Sequence, residues 1–355
     1  MNASAFGRYA FGYCIAVAIL AGCGGSAQSQ LAAPGQLQEQ SGSHSPVNTT
    51  SSMRGSSAML RQDHSRSWMD PDAKSKDLLY VTNPGGNEIL VYSYPQEKLV
   101  GTLTGFYYNF FADGVCTDKK GDVWIVANAA QEIVEYAHGG TTPIATLSDP
   151  GYYPTTCSVD PVTGNLAVAN KETNNSTPQQ GNVAIYAHAK GTPTLYNDSQ
   201  LFQVWFCGYD DKGNLYVDGT KGYSVTFGFA ELPKGKKQLT NIALKGGTIY
   251  FPGKILWDGK YVVVGDQSYK NKYPYTSGAY ETTGAAGKIV GSTPFTGSLD
   301  VAGFAIEGNT VIAPDISLEN ISTYKYPAGG KPVKVLPGCK GTSCQPYDAA
   351  ISRAQ

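Results

Sequence analysis

The sequence predicts an all-β fold, a six-bladed β-propeller of four-stranded antiparallel blades whose ring is closed by the C-terminal strand. Three observations predict it. The first is a run of short apolar segments. In the stretch 122–147, DVWIVANAAQEIVEYAHGGTTPIATL, one segment runs from Val123 to Val126 and stops at Asn128, a second spans Ile133 to Tyr136, and a third follows Gly139 and Gly140. Segments this short, bounded by turn residues, read as strands. The second observation is that the unit returns. Gly121, Gly164, Gly213, Gly259 and Gly308 stand just before equivalent strands at spacings of 43, 49, 46 and 49, the range of propeller blades. The third is that these strands are apolar at consecutive positions, as at Tyr261 to Val264. A sandwich strand with one wet face alternates, whereas a blade packed between two neighbours is buried on both faces.

Each element of the unit can be followed along the chain. The strand after the glycine appears as DLLYVTN ending at Asn83, then again ending at Asn128 and Asn170, as NLYVDG from Asn214, and in copies ending at Asp266 and Asp315. An aromatic marks the next strand at Tyr92, Tyr136, Tyr186, Phe229 and Tyr324, and the fifth copy lacks its marker. An inner strand precedes each glycine: GVCTD from Gly114, TTCSVD from Thr155, WFCGYD from Trp205, KILWD from Lys254 and GFAIE from Gly303. The first copy, starting at Asp77, has no such strand before it. The orphan segment Pro346 to Ser352 would supply one, closing the ring and removing a free edge. On these residues, over roughly 77–352, the chain resembles six-bladed NHL-type propellers of bacterial lipoproteins, whose blades open with a similar pattern of proline, small residue, valine and aspartate. That resemblance implies a fold and leaves the function open.

The N-terminus reads as a processing signal. Arg8 precedes an apolar stretch from Phe11 to Leu20, too short to span a bilayer. The tetrapeptide Leu20-Ala21-Gly22-Cys23 then resembles a bacterial lipobox, which implies a cut before Cys23 and acylation of its thiol; an ordinary secretory signal is the alternative. The expected organisation is a lipoprotein signal peptide over 1–22, lipidated Cys23 with a flexible linker over 23–76, and the propeller over 77–355. The linker is rich in Gly, Ser, Gln, Ala and Pro, and some 50 such residues reach about 40 Å. The expected location is the bacterial cell envelope, lipid-anchored outside the cytoplasm, with the chain acting as a monomer.

Composition agrees with export, charged residues being only 15% of the chain while Gly reaches 42 and Tyr 24. A net charge of −1 gives no basic footprint for nucleic acid. Cys339 and Cys344 flank a short loop before the closing strand and are the expected disulfide. Cys116, Cys157 and Cys207 occupy inner strands of successive blades; no histidine accompanies them, so they are expected to pack as small hydrophobes. His138 and His188 follow marker tyrosines in YAHGG and YAHAKG and read as repeat decoration. There is no nucleophile elbow, phosphate loop or zinc motif, so no catalytic residue, metal ligand or cofactor is assigned.

What remains is one face of the ring. Each blade places a polar residue there: Asn83, Asn128, Asn170, Asp218, Asp266 and Asp315. The same face receives the aromatic segments leading into the inner strands, with Tyr107, Tyr152, Tyr153, Trp205 and Tyr250. An insertion at 267–287 adds Tyr269, Tyr273, Tyr275 and Tyr280. Asn and Asp also cap strand ends, and tyrosines also pack loops. Aromatics among adaptable polar groups at low charge nevertheless make a recognition surface for a protein or glycan. The expectation is therefore a tethered binding or scaffold module. The alternative is a lactonase- or hydrolase-like enzyme, since some propellers resembling this one hold calcium on the axis through Glu, Asn and Asp.

Overall fold

The computed structural model describes residues 67–106, 114–175, 177, 179–222, 226–270, 276–339 and 344–355. They form six antiparallel sheets. Blade one is built from β1 (Trp68–Met69), β2 (Asp77–Asn83), β3 (Glu88–Tyr94) and β4 (Lys98–Thr104). Blade two is β5 (Val115–Thr117), β6 (Val123–Ala127), β7 (Glu132–Tyr136) and β8 (Pro143–Ser148), and blade three is β9 (Tyr152–Val159), β10 (Leu166–Thr173), β11 (Gln180–Tyr186) and β12 (Thr194–Tyr196). Blade four is β13 (Gln203–Tyr209), β14 (Leu215–Thr220), β15 (Phe227–Leu232) and β16 (Thr240–Asn241). Blade five is β17 (Pro252–Trp257), β18 (Val262–Tyr269), β19 (Thr276–Thr282) and β20 (Ile289–Phe295); blade six is β21 (Ala305–Glu307), β22 (Thr310–Asp315), β23 (Asn320–Lys325) and β24 (Lys334–Pro337). The last strand, β25 (Ala349–Ser352), returns to blade one.

The consecutive apolar residues are explained by the seams between blades. Among the described residues the core divides into six buried clusters, one per seam. Leu78 and Tyr80 point into the cluster shared with blade two, whereas Leu79 and Val81, on the opposite pleat of the same strand, point into the one shared with blade six. Both faces of β2 are thus buried, each large apolar side chain contributing roughly 1.5–3 kcal/mol. The marker aromatics Tyr136, Tyr186 and Tyr324 fill these seams. In blade five Thr282 holds the marker's register opposite Val262, and its hydroxyl donates to the Val262 carbonyl at 3.0 Å.

The ring closes as the sequence predicts. Leu78 pairs with Ser352 and Val81 with Ala349, and the Tyr347 and Thr82 backbones extend the ladder. Arg353 then bridges Asp77 of blade one and Glu307 of blade six. One boundary differs. Residues 68–76, assigned to the linker from composition, belong to the propeller: β1 pairs with the outer strand β4, and Ala73 is fully buried in the seam between blades one and two. A Cβ at Gly101 would strike Met69, so the glycine admits the added strand. Two apolar residues among polar ones give too little periodicity to announce so short a strand.

Candidate functional site

The polar residue that ends the second strand of each blade does not face solvent. Asn83, Asn128, Asn170, Asp218, Asp266 and Asp315 are all at most 1% exposed, which corrects the expectation that they line a binding face. Their side chains bracket the segments leading into inner strands. Asp315 accepts the N–H groups of Leu299 at 2.7 Å, Asp300 at 3.3 Å, Ser317 at 3.1 Å and Leu318 at 2.9 Å. Asp266 accepts those of Tyr250, Phe251 and Ser268, and Asp218 those of Phe206 and Gly253. Asn83 accepts from the Gln345 N–H at 2.8 Å, and Asn128 donates to the Pro154 carbonyl at 2.6 Å. Asn170 donates to Asn182 at 3.0 Å, within blade three. The backbone of a segment turning toward the axis has no ladder partner, and a short carboxylate or amide supplies one. Burial pushes the Asp266 carboxyl up to about 6, three N–H groups opposing the rise, and raises that of Asp218 well above the usual range.

The aromatics divide into two groups. Tyr269 and Tyr280 are 4% and 7% exposed and pack as a tilted pair in the seam between blades four and five, ring centroids 5.2 Å apart. This too is a correction. The apparent insertion at 267–287 includes β19 itself, so Tyr280 is a strand residue of the core. Tyr152, Tyr153 and Trp205 are partly exposed and Tyr250 is exposed. Tyr152 and Tyr153 open β9, Trp205 lies early in β13 and Tyr250 just precedes β17, so they stand at the starts of three successive inner strands and make one half of the axial mouth. Trp205 meets Phe251 edge-on at 5.7 Å. Its other neighbour is the Lys171 ammonium, 4.4 Å from the ring centroid, whose pKa burial lowers to about 8. The backbone carbonyl of Trp205 accepts the Thr155 hydroxyl at 2.6 Å, tying blades three and four together beneath the aromatics. Cys23, Tyr107, Tyr273 and Tyr275 lie outside the described residues.

The axis carries a group that sequence reasoning missed. Lys254 of blade five reaches across it, its ammonium donating to Asp348 Oδ1 at 2.6 Å, to the Ala349 carbonyl at 2.9 Å and to the Val115 carbonyl at 3.1 Å. Asp348 in turn accepts the Val115 N–H at 3.0 Å and the Ala349 N–H at 2.7 Å. Gly303 makes the space, because a Cβ there would strike the Asp348 carboxylate. The signal was present in the inner-strand copies: KILWD and PYDAA each carry a charge where TTC and FAI carry none. The resemblance to metal-bearing propellers implies an axial calcium. These residues do not fit one, since an ammonium with all three protons engaged stands on the axis and consumes the aspartate's charge.

Below this ion pair, the later residues of the inner strands line a cavity of about 220 Å³. Its wall includes Cys116 and Cys157, which are expected from sequence to pack as small hydrophobes with their redox state left open; they are joined as a disulfide with Cα atoms 5.7 Å apart. Cys116 lies two residues before its turn aspartate, Asp118, whereas Cys157 lies three before Asp160. One residue of offset reverses the pleat, so the two sulfurs meet across the seam. Cys207, three residues before Asp210, points instead toward the Ala167 carbonyl of blade three and is free. Cys339 and Cys344 form the second disulfide. His138 binds Ser352 and the Lys76 carbonyl at the rim, and His188 faces the Thr163 carbonyl.

No protein-family model matches the chain, and no curated protein matches it in sequence. Its fold is similar to solved structures. A chain from the crystal structure of a nidogen/laminin complex superposes with a TM-score of 0.59 at 12% identity, covering 79% of this chain and 99% of that one. A protein of unknown function from Bacteroides caccae does so with a TM-score of 0.54 at 14% identity, covering 78% and 99%. At such identities the likeness is one of fold.

Proposed function

We propose that this chain is an exported, lipid-tethered binding module that recognises a protein partner through the half-ring of aromatics at the axial mouth. The observation that carries the reading is the contrast within the aromatic set. Tyr152, Tyr153, Trp205 and Tyr250 keep part of their surface in solvent, with the Tyr250 and Trp205 backbones held by Asp266 and Thr155 and Tyr152 paired with Thr173 in the β9–β10 ladder, whereas Tyr269 and Tyr280 are core. Rigidly mounted, partly exposed tyrosine and tryptophan supply large contact area at small entropic cost, as protein interfaces require. The similar fold in a nidogen/laminin complex belongs to a protein–protein assembly, which is in keeping with this use. The tether rests on Cys23 in its lipobox-like setting and places the propeller at the cell envelope. The hydrolase alternative needs a cation on the axis, where Lys254 stands.

The test is a comparison of Tyr152→Ser with Tyr250→Ser on the full chain. Both should melt like the parent and lose affinity for a protein isolated from the envelope surface. Retained affinity in both, or competition by free glycan in place of protein, overturns the reading. Labelled fatty acid incorporated by a Cys23→Ser chain would overturn the tether.

A further inference from the structure

We propose that the axial cavity lets small thiols reach the Cys116–Cys157 disulfide, so that this bridge is a reversible redox latch between blades two and three. Both cysteines line the cavity of about 220 Å³, together with Thr117, Val159, Glu307 and Ile351. Those four sit where the inner strands end and are partly exposed, while Val115 and Ala349, deeper in, are fully buried. The cavity is therefore reached from the end at which the inner strands run into their turns. A volume of about 220 Å³ admits a few heavy atoms and does not hold another protein's active-site loop. Cys116 is the more exposed residue, 8% against 3% for Cys157, and the attack is accordingly placed at Cys116.

The chemistry balances without a further reagent. A small thiolate attacks Cys116 Sγ in line with the bridge; the new bond is a mixed disulfide on Cys116, the bond broken is that to Cys157, and Cys157 leaves as thiolate and takes up a proton. A second thiolate of the same kind releases the adduct as the small disulfide, so that two thiols supply the two electrons and Cys116 ends as a thiol. If the cavity holds one thiol at a time, the product is Cys116 carrying it. The blades need not part. The Gly114 N–H still donates to the Thr155 carbonyl at 2.7 Å, and the seam retains Trp124, Val126, Ile133 and Leu166. What is released is the covalent tie beside β9, the strand that also carries Thr155 and leads down from Tyr152 and Tyr153.

Cys207 is an internal reporter. It is free and buried, and burial raises its thiol to about 12, so it reacts only when the protein opens. The full chain would be held with millimolar 2-mercaptoethanol under native conditions, quenched with iodoacetamide and mapped by mass spectrometry. Cys116 and Cys157 should be alkylated, or Cys116 found as the adduct, at a rate insensitive to low urea and roughly tenfold or more ahead of Cys207. A thioredoxin at matched reducing strength should leave the bridge intact. Labelling of all three cysteines in step would mean that reduction needs global unfolding, and equal reduction by thioredoxin would mean a route other than the cavity. Either result overturns the proposal.

Discussion

The Lys254 ammonium lies 2.6 Å from the Asp348 carboxylate with both side chains at most 6% exposed, an ion pair that spans the axis from blade five to the residue just before the closing strand of blade one. Neither charge reaches water, and each is stabilised by backbone partners from blades one and two. Removing one partner leaves the other buried and uncompensated. Lys254→Met is therefore expected to cost about 3–5 kcal/mol in urea denaturation. Adding Asp348→Asn to that variant should recover part of the loss, because an amide tolerates the axis without a cation. A single variant within 1 kcal/mol of the parent would mean that solvent screens the pair.

The buried carboxyls set a pH dependence. Burial holds Asp266 and Asp149 up at about 6. Glu135 rises to about 7, through desolvation first and then the neighbouring Asp122 and Asp118. A carboxyl whose folded pKa lies above its unfolded one binds the proton more tightly when folded. Its stabilising contribution is present below the unfolded value and disappears as pH climbs through the folded one. The melting temperature should accordingly rise on acidification from pH 8 to 5, and Asp266→Asn should flatten that rise. Each tenfold gain in proton affinity at a well-buried carboxyl corresponds to about 1.4 kcal/mol, with less from the half-exposed Glu135. Melting temperatures that fall over this window would show that other titrations dominate.

Closure through β25 carries its own expectation. Deleting the chain from Pro346 onward removes the partner of Leu78 to Val81, Asp348 from the axis and Arg353 from the rim. The exposed edge of β2 is then a template for association. Light scattering should report aggregation at concentrations where the parent stays dispersed, and a dispersed truncated chain would show that the ring holds without its last strand.

The repeat was legible because a blade makes the same demand of every copy: Leu78 and Leu79 serve different seams, and both must be apolar. The candidate site was less legible, for physical reasons. An asparagine or aspartate at a strand end has the same identity whether it faces solvent or, like Asp315, turns inward to collect backbone N–H groups. The pairing of Cys116 with Cys157 depends on a one-residue difference in turn length, which repeat alignment smooths away. Lys254 and Asp348 are 94 residues apart, and only closure of the ring brings them together. Tyr280 sits in the one copy whose marker aromatic is missing, so that in sequence its surroundings look the same as a loop, although β18 and β19 pair as a longer hairpin.

The burial of Tyr280 gives the sharpest contrast between packing and recognition. Tyr280 packs against Tyr269 in a seam that also holds Phe206, Tyr216 and Val264, and a Cβ at Gly278 would strike the Tyr269 ring, so the site is already full. Tyr280→Ser removes a large buried side chain and should cost about 3 kcal/mol, which in a domain of this size lowers the melting temperature by roughly 2–4 °C per kcal/mol. Tyr250 is 38% exposed and its backbone, not its ring, is what Asp266 holds. Tyr250→Ser should therefore stay within about 0.5 kcal/mol of the parent. If the two variants destabilise alike, Tyr250 is a packing residue and the aromatic mouth loses its claim to be a recognition surface. If only Tyr280→Ser melts early, loss of partner binding by Tyr250→Ser can be read as a loss of contact, since its fold is that of the parent.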